Sequence, residues 1–203
     1  LAAISLFYSR ITEILGFRPL RHEGKITGLS ARGTVDTLLL KEFRKRVCFH
    51  NGKFIRTQIF RPAKKTDPIW KIVQSMNRDV VAATAQHILE EATCAFISHW
   101  VQKTGCGTIA LAGGVFANVR LNQKIATLKG VRNMWVLPHM GDGGLAVGGA
   151  LGFAQPPPTS LTDVFFGSHH RSIDITRAVQ RHKPTTIRDN IIKTVAKIIA
   201  EGG

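Results

Sequence analysis

The stretch from Thr108 to Phe153 constrains the fold most. Thr108-Ile109-Ala110-Leu111-Ala112 reads as a short apolar strand, and Gly113-Gly114 turns it into a helix predicted over about Ala117 to Leu128. Asn133-Met134-Trp135-Val136-Leu137 reads as a second strand ending at Pro138. The turn after it, rich in glycine, opens a helix over about Leu145 to Phe153. Apolar strands alternating with helices predict an α/β fold, a buried sheet whose faces are covered by helices. In open sheets of this kind ligands bind beyond the carboxyl ends of the strands, where loop backbone and helix N-termini present N–H groups to anions.

Around this segment the chain alternates helices with polar connections. Helical spacing of Ile4, Phe7, Ile11, Ile14 and Leu15 predicts a helix over Ala2 to Leu15, with Gly16 as its C-cap. Arg21 to Leu29 reads as a glycine-containing loop. Thr34 is a candidate N-cap for a short helix over Val35 to Arg44. Val47 to Phe60 reads as a hairpin turning at Asn51-Gly52, and Pro62 to Pro68 as polar loop. A long amphipathic helix is predicted over about Arg78 to Lys103, with Val81, Ile88, Ala92, Ala95, Phe96 and Trp100 on one face and Gly105 as the stop. Pro156-Pro157-Pro158 divides the chain into a domain over 1–157 and a segment over 158–203. The latter carries predicted helices over Ser172 to His182 and Asp189 to Ala200.

Both glycine-rich turns are candidates for chemistry. In Leu111-Ala112-Gly113-Gly114-Val115-Phe116-Ala117-Asn118 the paired glycines let a backbone approach a ligand, and Asn118 can contact a base or ribose. In His139-Met140-Gly141-Asp142-Gly143-Gly144 one carboxylate stands among glycines at a helix start, where an ion meets no bulky side chain. Each also has a plainer reading, a tight turn for the glycines and an N-cap for Asp142. Neither fits GxGxxG or GxxxxGK[ST], which excludes the dinucleotide and P-loop motifs. Two neighbouring strands with such ends are expected to face one cleft.

Charge and cysteines bound the setting. The chain carries 28 Lys+Arg against 13 Asp+Glu, a net +15, so it attracts anions of some kind. Aromatics interleave the basic stretches only sparsely, which disfavours nucleic acid as the purpose of that charge. No apolar run reaches the roughly 20 residues of a membrane helix. Cys48, Cys94 and Cys106 form no CxxC pair, which predicts a reducing compartment, the cytoplasm. The remaining histidines read as weak candidates: His87 and His99 lie 12 positions apart on the long helix, His169-His170 sits in a loop, and His22 precedes Glu23. Cys94 reads as core packing.

The two turns, Leu111 through Gln123 and Met140 through Ala150, resemble those of the O-carbamoyltransferase family, which includes nodulation and antibiotic carbamoyltransferases. Leu15-Gly16-Phe17-Arg18-Pro19 and His22-Glu23-Gly24-Lys25-Ile26-Thr27-Gly28-Leu29 resemble its upstream signature, whereas the tail from Pro158 is only weakly similar. The resemblance implies a ribonuclease-H-like domain of the actin, sugar-kinase and heat-shock-chaperone type, with a β-hairpin and flanking helices. It implies carbamoyl-adenylate, made from carbamoyl phosphate and ATP by a second, YrdC-like domain, as donor to a hydroxyl of a small-molecule acceptor. Asp142 matches the aspartate that, with two histidines of an HxxxH motif, holds an iron-type divalent metal, and it is the catalytic candidate. Gly113, Gly114 and Asn118 match the nucleotide-holding turn, and Glu23 and Lys25 line the same cleft.

No HxxxH and no Gly-Pro-Arg-rich motif of the second domain occurs in the 203 residues. The chain therefore reads as a middle piece of a longer protein, with 158–203 connecting toward the YrdC-like domain. On that reading its metal site is incomplete and the piece alone is inactive. Two alternatives stand beside it: tRNA threonylcarbamoyl transfer in the same superfamily, and a non-catalytic nucleotide-binding module. Antibiotic, lipo-oligosaccharide and other hydroxyl acceptors share these motifs in that family, and a homo-oligomer is compatible with each reading.

Overall fold

A computed structural model describes residues 2–55, 68–155, 157, 167–183 and 190–202. They belong to two units, Leu1–Pro158 and Thr159–Gly203.

The spine of the first unit is α5 (Arg78–Thr104), a helix of 27 residues. Asn77 caps it, its Oδ1 accepting from the Asp79 N–H at 2.8 Å, and Gly105 ends it at φ 70°, donating to the Val101 carbonyl. Its first half is buried nearly all round. Val81, Ala82, Ala85, Ile88, Leu89 and Ala92 are joined there by the polar Thr84, Gln86, Glu90 and Thr93. The broad face follows from its neighbours, since α1 (Ala2–Ile14), α2 (Glu23–Ser30), α3 (Thr37–Arg44) and α6 (Val119–Ala126) all pack against it. Small residues at 82, 83, 85 and 92 let those helices approach closely.

Several predicted boundaries move. The segment expected as a loop, Arg21 to Leu29, is helical from Glu23, so Lys25 is a helix residue. Gly24 and Gly28 lie on its exposed side, while Ile26 and Ser30 are buried. Packing of that buried side outweighs the weak helix propensity of glycine, and Glu23 in the first turn suits the positive helix end. The cap of α3 is Asp36 rather than Thr34; its Oδ1 accepts from the Leu39 N–H at 2.7 Å. Pro68, read as loop, opens a helix not foreseen, α4 (Pro68–Ser75), which buries Ile69 and Val73. Proline suits a first helical position because the N–H it lacks would have no partner there.

The hairpin pairs β1 (Cys48–His50) with β2 (Lys53–Ile55), antiparallel, about Asn51-Gly52. Both turn residues have positive φ, 48° and 81°, the left-handed pair a two-residue hairpin requires. Its continuation to Phe60 and the loop over 62–67 lie outside the described residues. Phe49 and Phe54 dock the hairpin on Phe96 of α5, with ring centroids 5.7 and 5.3 Å away.

The second sheet positions the site. β3 (Thr108–Leu111) and β4 (Asn133–Val136) run parallel, Thr108 opposite Asn133 and Leu111 opposite Val136. A 3₁₀ turn, Gly114–Ala117, and the short helix α6 (Val119–Ala126) connect them, and α7 (Gly144–Ala154) follows β4. A continuous helix from Ala117 does not form. Contrary to the expectation of a sheet covered on both faces, the pair is covered on one among the described residues. Ile109, Leu111, Met134 and Val136 pack toward the core, while Thr108, Ala110, Asn133 and Trp135 are exposed. The strands alternate as half-buried strands do.

In the second unit α8 (Ser172–His182) and α9 (Ile191–Ala200) are amphipathic, and none of their residues is buried among those described. The expected start of α9 at Asp189 lies outside the described residues. Among the described residues no helix is long and apolar enough to cross a membrane.

Candidate functional site

Because β3 and β4 are parallel and in register, both glycine-rich turns leave the sheet at the same end. The Gly113 N–H donates to the Met140 carbonyl at 2.7 Å and binds the turns to each other. Gly113 has φ 112°, a conformation that demands glycine. Met140 follows His139, itself at φ 57°, and the His139 ring lies so close to Gly143 that a Cβ there would fall 2.0 Å from it. The second turn is thus closed over its own histidine.

The turns form one side of a cavity of about 520 Å³, a volume suited to a small-molecule ligand. Gly114, Val115, Ala117 and Asn118 line it from the first turn, Gly141 and Asp142 from the second. The other side comes from α1 (Ser5, Tyr8, Ser9) and from the segment that opens α2 (Leu20, Arg21, Glu23, Gly24, Thr27). Of the residues singled out from sequence, Glu23, Gly114, Asn118 and Asp142 therefore meet around one cavity. Gly113 shapes the turn without lining the cavity. Lys25 also stands apart from the lining; it is exposed, with Nζ 5.4 Å from the Phe17 ring.

Their side chains are in different states. Glu23 is pinned: its Oε1 accepts from Ser9 Oγ at 2.7 Å and from the Leu20 N–H at 2.6 Å. Asn118, expected to contact a nucleotide, spends its amide inside the protein. Its Oδ1 caps α6 by accepting from the Leu121 N–H at 3.0 Å, and its Nδ2 donates to Gln86 Oε1 at 2.8 Å and Thr27 Oγ1 at 3.2 Å. Asp142, by contrast, does not cap α7. The N-cap position is Gly143, and Asp142 is exposed at the cavity with no ion pair or hydrogen bond from its carboxylate to a described residue. Arg21 is the cationic residue of the lining and likewise has no partner among the described residues. Burial, reinforced by the charges of Glu90 and Glu23, pushes the Tyr8 phenol well above its ordinary range, so it stays a donor, to Gln86 Oε1 at 2.8 Å.

Sequence reasoning missed Tyr8, Ser9, Arg21 and Thr27 as lining residues. Arg21 and Thr27 were within reach, since they flank the singled-out Glu23. Tyr8 and Ser9 carried only a helical spacing signal. Among the described residues no three His, Cys, Asp or Glu side chains come together. Asp142 alone does not make a metal site, and the described residues do not fit the iron-type ion that the resemblance implies.

Residues 2–151 match the family model described as the carbamoyltransferase N-terminus. The chain is 31% identical over 154 residues to an uncharacterized protein of Methanocaldococcus jannaschii, covering 74% of this chain and 25% of that protein. It is 31% identical over 166 residues to a second from the same organism, covering 79% and 32%. An uncharacterized protein of Synechocystis is 28% identical over 167 residues, covering 73% and 27%. The chain thus spans a quarter to a third of the length of these curated relatives.

Proposed function

The chain belongs to the carbamoyltransferase family, matching its N-terminal region, and from that premise we propose that the full protein carbamoylates a hydroxyl of a small-molecule acceptor. In this reading the donor is carbamoyl-adenylate, made from carbamoyl phosphate and ATP. The acceptor oxygen forms a bond to the carbamoyl carbon, the bond from that carbon to the AMP phosphate breaks, and the hydroxyl proton leaves to a base.

The observation that carries the proposal is the pair Arg21 and Asp142, a cation and a carboxylate without partners among the described residues, on one cavity at the carboxyl ends of two parallel strands. The guanidinium is suited to the phosphate of the donor, to which it offers a planar fork of N–H groups. The carboxylate is the group available to take the hydroxyl proton. Glu23, already pinned by Ser9 and Leu20, shapes the wall instead of reacting. The ribonuclease-H-like architecture is part of the same proposal. It is supported by the parallel pair with both turns at one end and by a sheet face that no described residue covers.

The test uses the full-length protein and its Asp142→Ala and Arg21→Ala variants with ATP, labelled carbamoyl phosphate and a panel of hydroxyl acceptors. Pyrophosphate release and label transfer are followed separately. Wild type is expected to do both, Asp142→Ala to release pyrophosphate without transferring label, and Arg21→Ala to transfer with a raised KM for the donor. A wild type that never consumes carbamoyl phosphate with ATP overturns the reading. Label appearing only on tRNA, with steep salt dependence, moves the acceptor to RNA, a class the +15 charge also suits.

A further inference from the structure

Beneath the cavity lies a polar cluster centred on two residues, Gln86 and Glu90, that take no part in the lining. Gln86 of α5 is 1% exposed and Glu90, one turn on, 3%. The Gln86 Oε1 accepts from Tyr8 Oη and from Asn118 Nδ2, both at 2.8 Å. Its Nε2 donates to Glu90 Oε1 at 2.8 Å and to Asn118 Oδ1 at 3.2 Å. Thr27 Oγ1 lies 3.2 Å from Tyr8 Oη and accepts from Asn118 Nδ2 at the same distance. Glu90 in turn holds α6 twice more, through Arg120 Nε at 3.0 Å and Lys124 Nζ at 2.7 Å.

Tyr8 and Thr27 belong to one wall of the cavity and Asn118 to the other. The buried amide of Gln86 joins Tyr8 to Asn118, beside the direct bond from Asn118 to Thr27. For stability alone a wholly apolar cluster would serve about as well, because burying an amide forfeits hydration that its new partners only roughly restore, whereas removing Gln86 alone leaves Tyr8, Asn118 and Glu90 short of a partner. What a fully partnered buried amide adds is definition, since only one arrangement of the two walls satisfies all of its bonds. We propose that Gln86 is a positioning residue: by bridging Tyr8 and Asn118, with Glu90 anchoring α6, it sets the height of the Gly113–Asn118 turn against α1 and α2, and so the donor's fit in the cavity. The consequence for the donor rests on the carbamoyl-transfer reading; the positioning itself does not.

Two variants of the full-length protein test this, Gln86→Met, of similar length without the hydrogen bonds, and Gln86→Glu. The first readout is hydrogen exchange, independent of activity. Amides of 113–122 are held by bonds that include Gly113 to Met140, Phe116 to Gly113 and Leu121 to the Asn118 side chain. In Gln86→Met they are expected to exchange at least tenfold faster while the amides of 81–97 keep their protection. The second readout is the KM for added carbamoyl-adenylate in label transfer, expected to rise at least tenfold with kcat changed less than threefold. In Gln86→Glu the new side chain would face Tyr8 of α1, Glu90 of α5 and, beyond it, Arg120 and Lys124 of α6, with Glu23 of α2 near Tyr8. Protonated, it can still donate to Glu90 and accept from Tyr8 and Asn118; ionised, it opposes Glu90. The KM defect of this variant should therefore shrink as pH falls, which a general loss of packing would not do.

Exchange rising equally over 81–97 and 113–122, or a KM within twofold of wild type in both variants, overturns the proposal. If wild type transfers no carbamoyl group, the functional reading falls and hydrogen exchange alone decides the positioning.

Discussion

Asn118 is where a ligand-binding and a structural reading of one residue make different numerical predictions. In Asn118→Ala the cap of α6 is lost, a cost of about 1 kcal/mol. Two donated hydrogen bonds, to Gln86 and Thr27, go as well, at about 1 kcal/mol each. These terms share partners and do not add strictly, so the expected loss is about 2–3 kcal/mol. For a chain of this size that corresponds to a fall in Tm of roughly 5–10 °C. Asn118→Ser keeps an oxygen able to cap Leu121 and should lose about half as much. Thermal unfolding of the purified protein, followed by circular dichroism with and without AMP, gives both values. If Asn118→Ala melts within about 0.5 kcal/mol of wild type while its AMP affinity collapses, the side chain is a ligand contact. The structural role of its hydrogen bonds to Gln86, Thr27 and Leu121 would then be refuted.

Gly144→Ala should cost about 1–3 kcal/mol in urea unfolding, because Gly144 is buried and its Cβ would lie 2.6 Å from the His139 backbone carbonyl oxygen. Gly149→Ala, on α7 with open space around its Cβ, should instead stabilise by about 0.5–1 kcal/mol in the same assay. The Arg44 guanidinium, hydrogen-bonded to Glu91 at 2.6 and 2.9 Å, holds that carboxyl below its ordinary value. The pair's contribution is therefore complete above the unfolded value near 4.5 and lost as pH falls through the lower folded one. Both side chains are more than a third exposed, so Arg44→Gln should cost under about 1 kcal/mol at pH 7, and the difference from wild type should vanish in acid melts. Burial pushes the Cys94 thiol up, whereas Cys106 is exposed, so a disulfide reagent at pH 8 should label Cys106 first, as peptide mass mapping would show.

How legible these elements were depended on what holds them. The Asn51-Gly52 hairpin, the stop at Gly105 and the two strands before the glycine turns are local devices, carried by backbone conformations that few other residues adopt, and they stand as read. Helix α2 was illegible for the opposite reason. Glycines at 24 and 28 speak against a helix in isolation, and only Ile26 and Ser30 meeting α5, some sixty positions along the chain, outweigh them. The single buried face of the β3–β4 pair escaped notice because Ala110 and Trp135 are apolar yet point outward. In strands of four residues, one such residue in each hides the alternation.

The site divides along the same line. That Gly113-Gly114 and Gly141 to Gly144 meet followed from two neighbouring strands with glycine-rich ends, a deduction about backbone. Which side chains remain free could not follow from it, because a side chain's availability depends on what lies beneath it. Asn118 reads as a ligand contact until Gln86, 32 positions earlier, takes its amide. Asp142 reads either as a metal-holding carboxylate or as a cap; Gly143 takes the cap position and leaves the carboxylate without a partner among the described residues. Arg21 went unremarked beside Glu23, although Glu23 is held by Ser9 and Leu20 and Arg21 by no described residue. On the proposed reading, chemistry at this cavity falls to Arg21 and Asp142, the groups without partners among the described residues, and Gln86 sets the Asn118 turn that faces them.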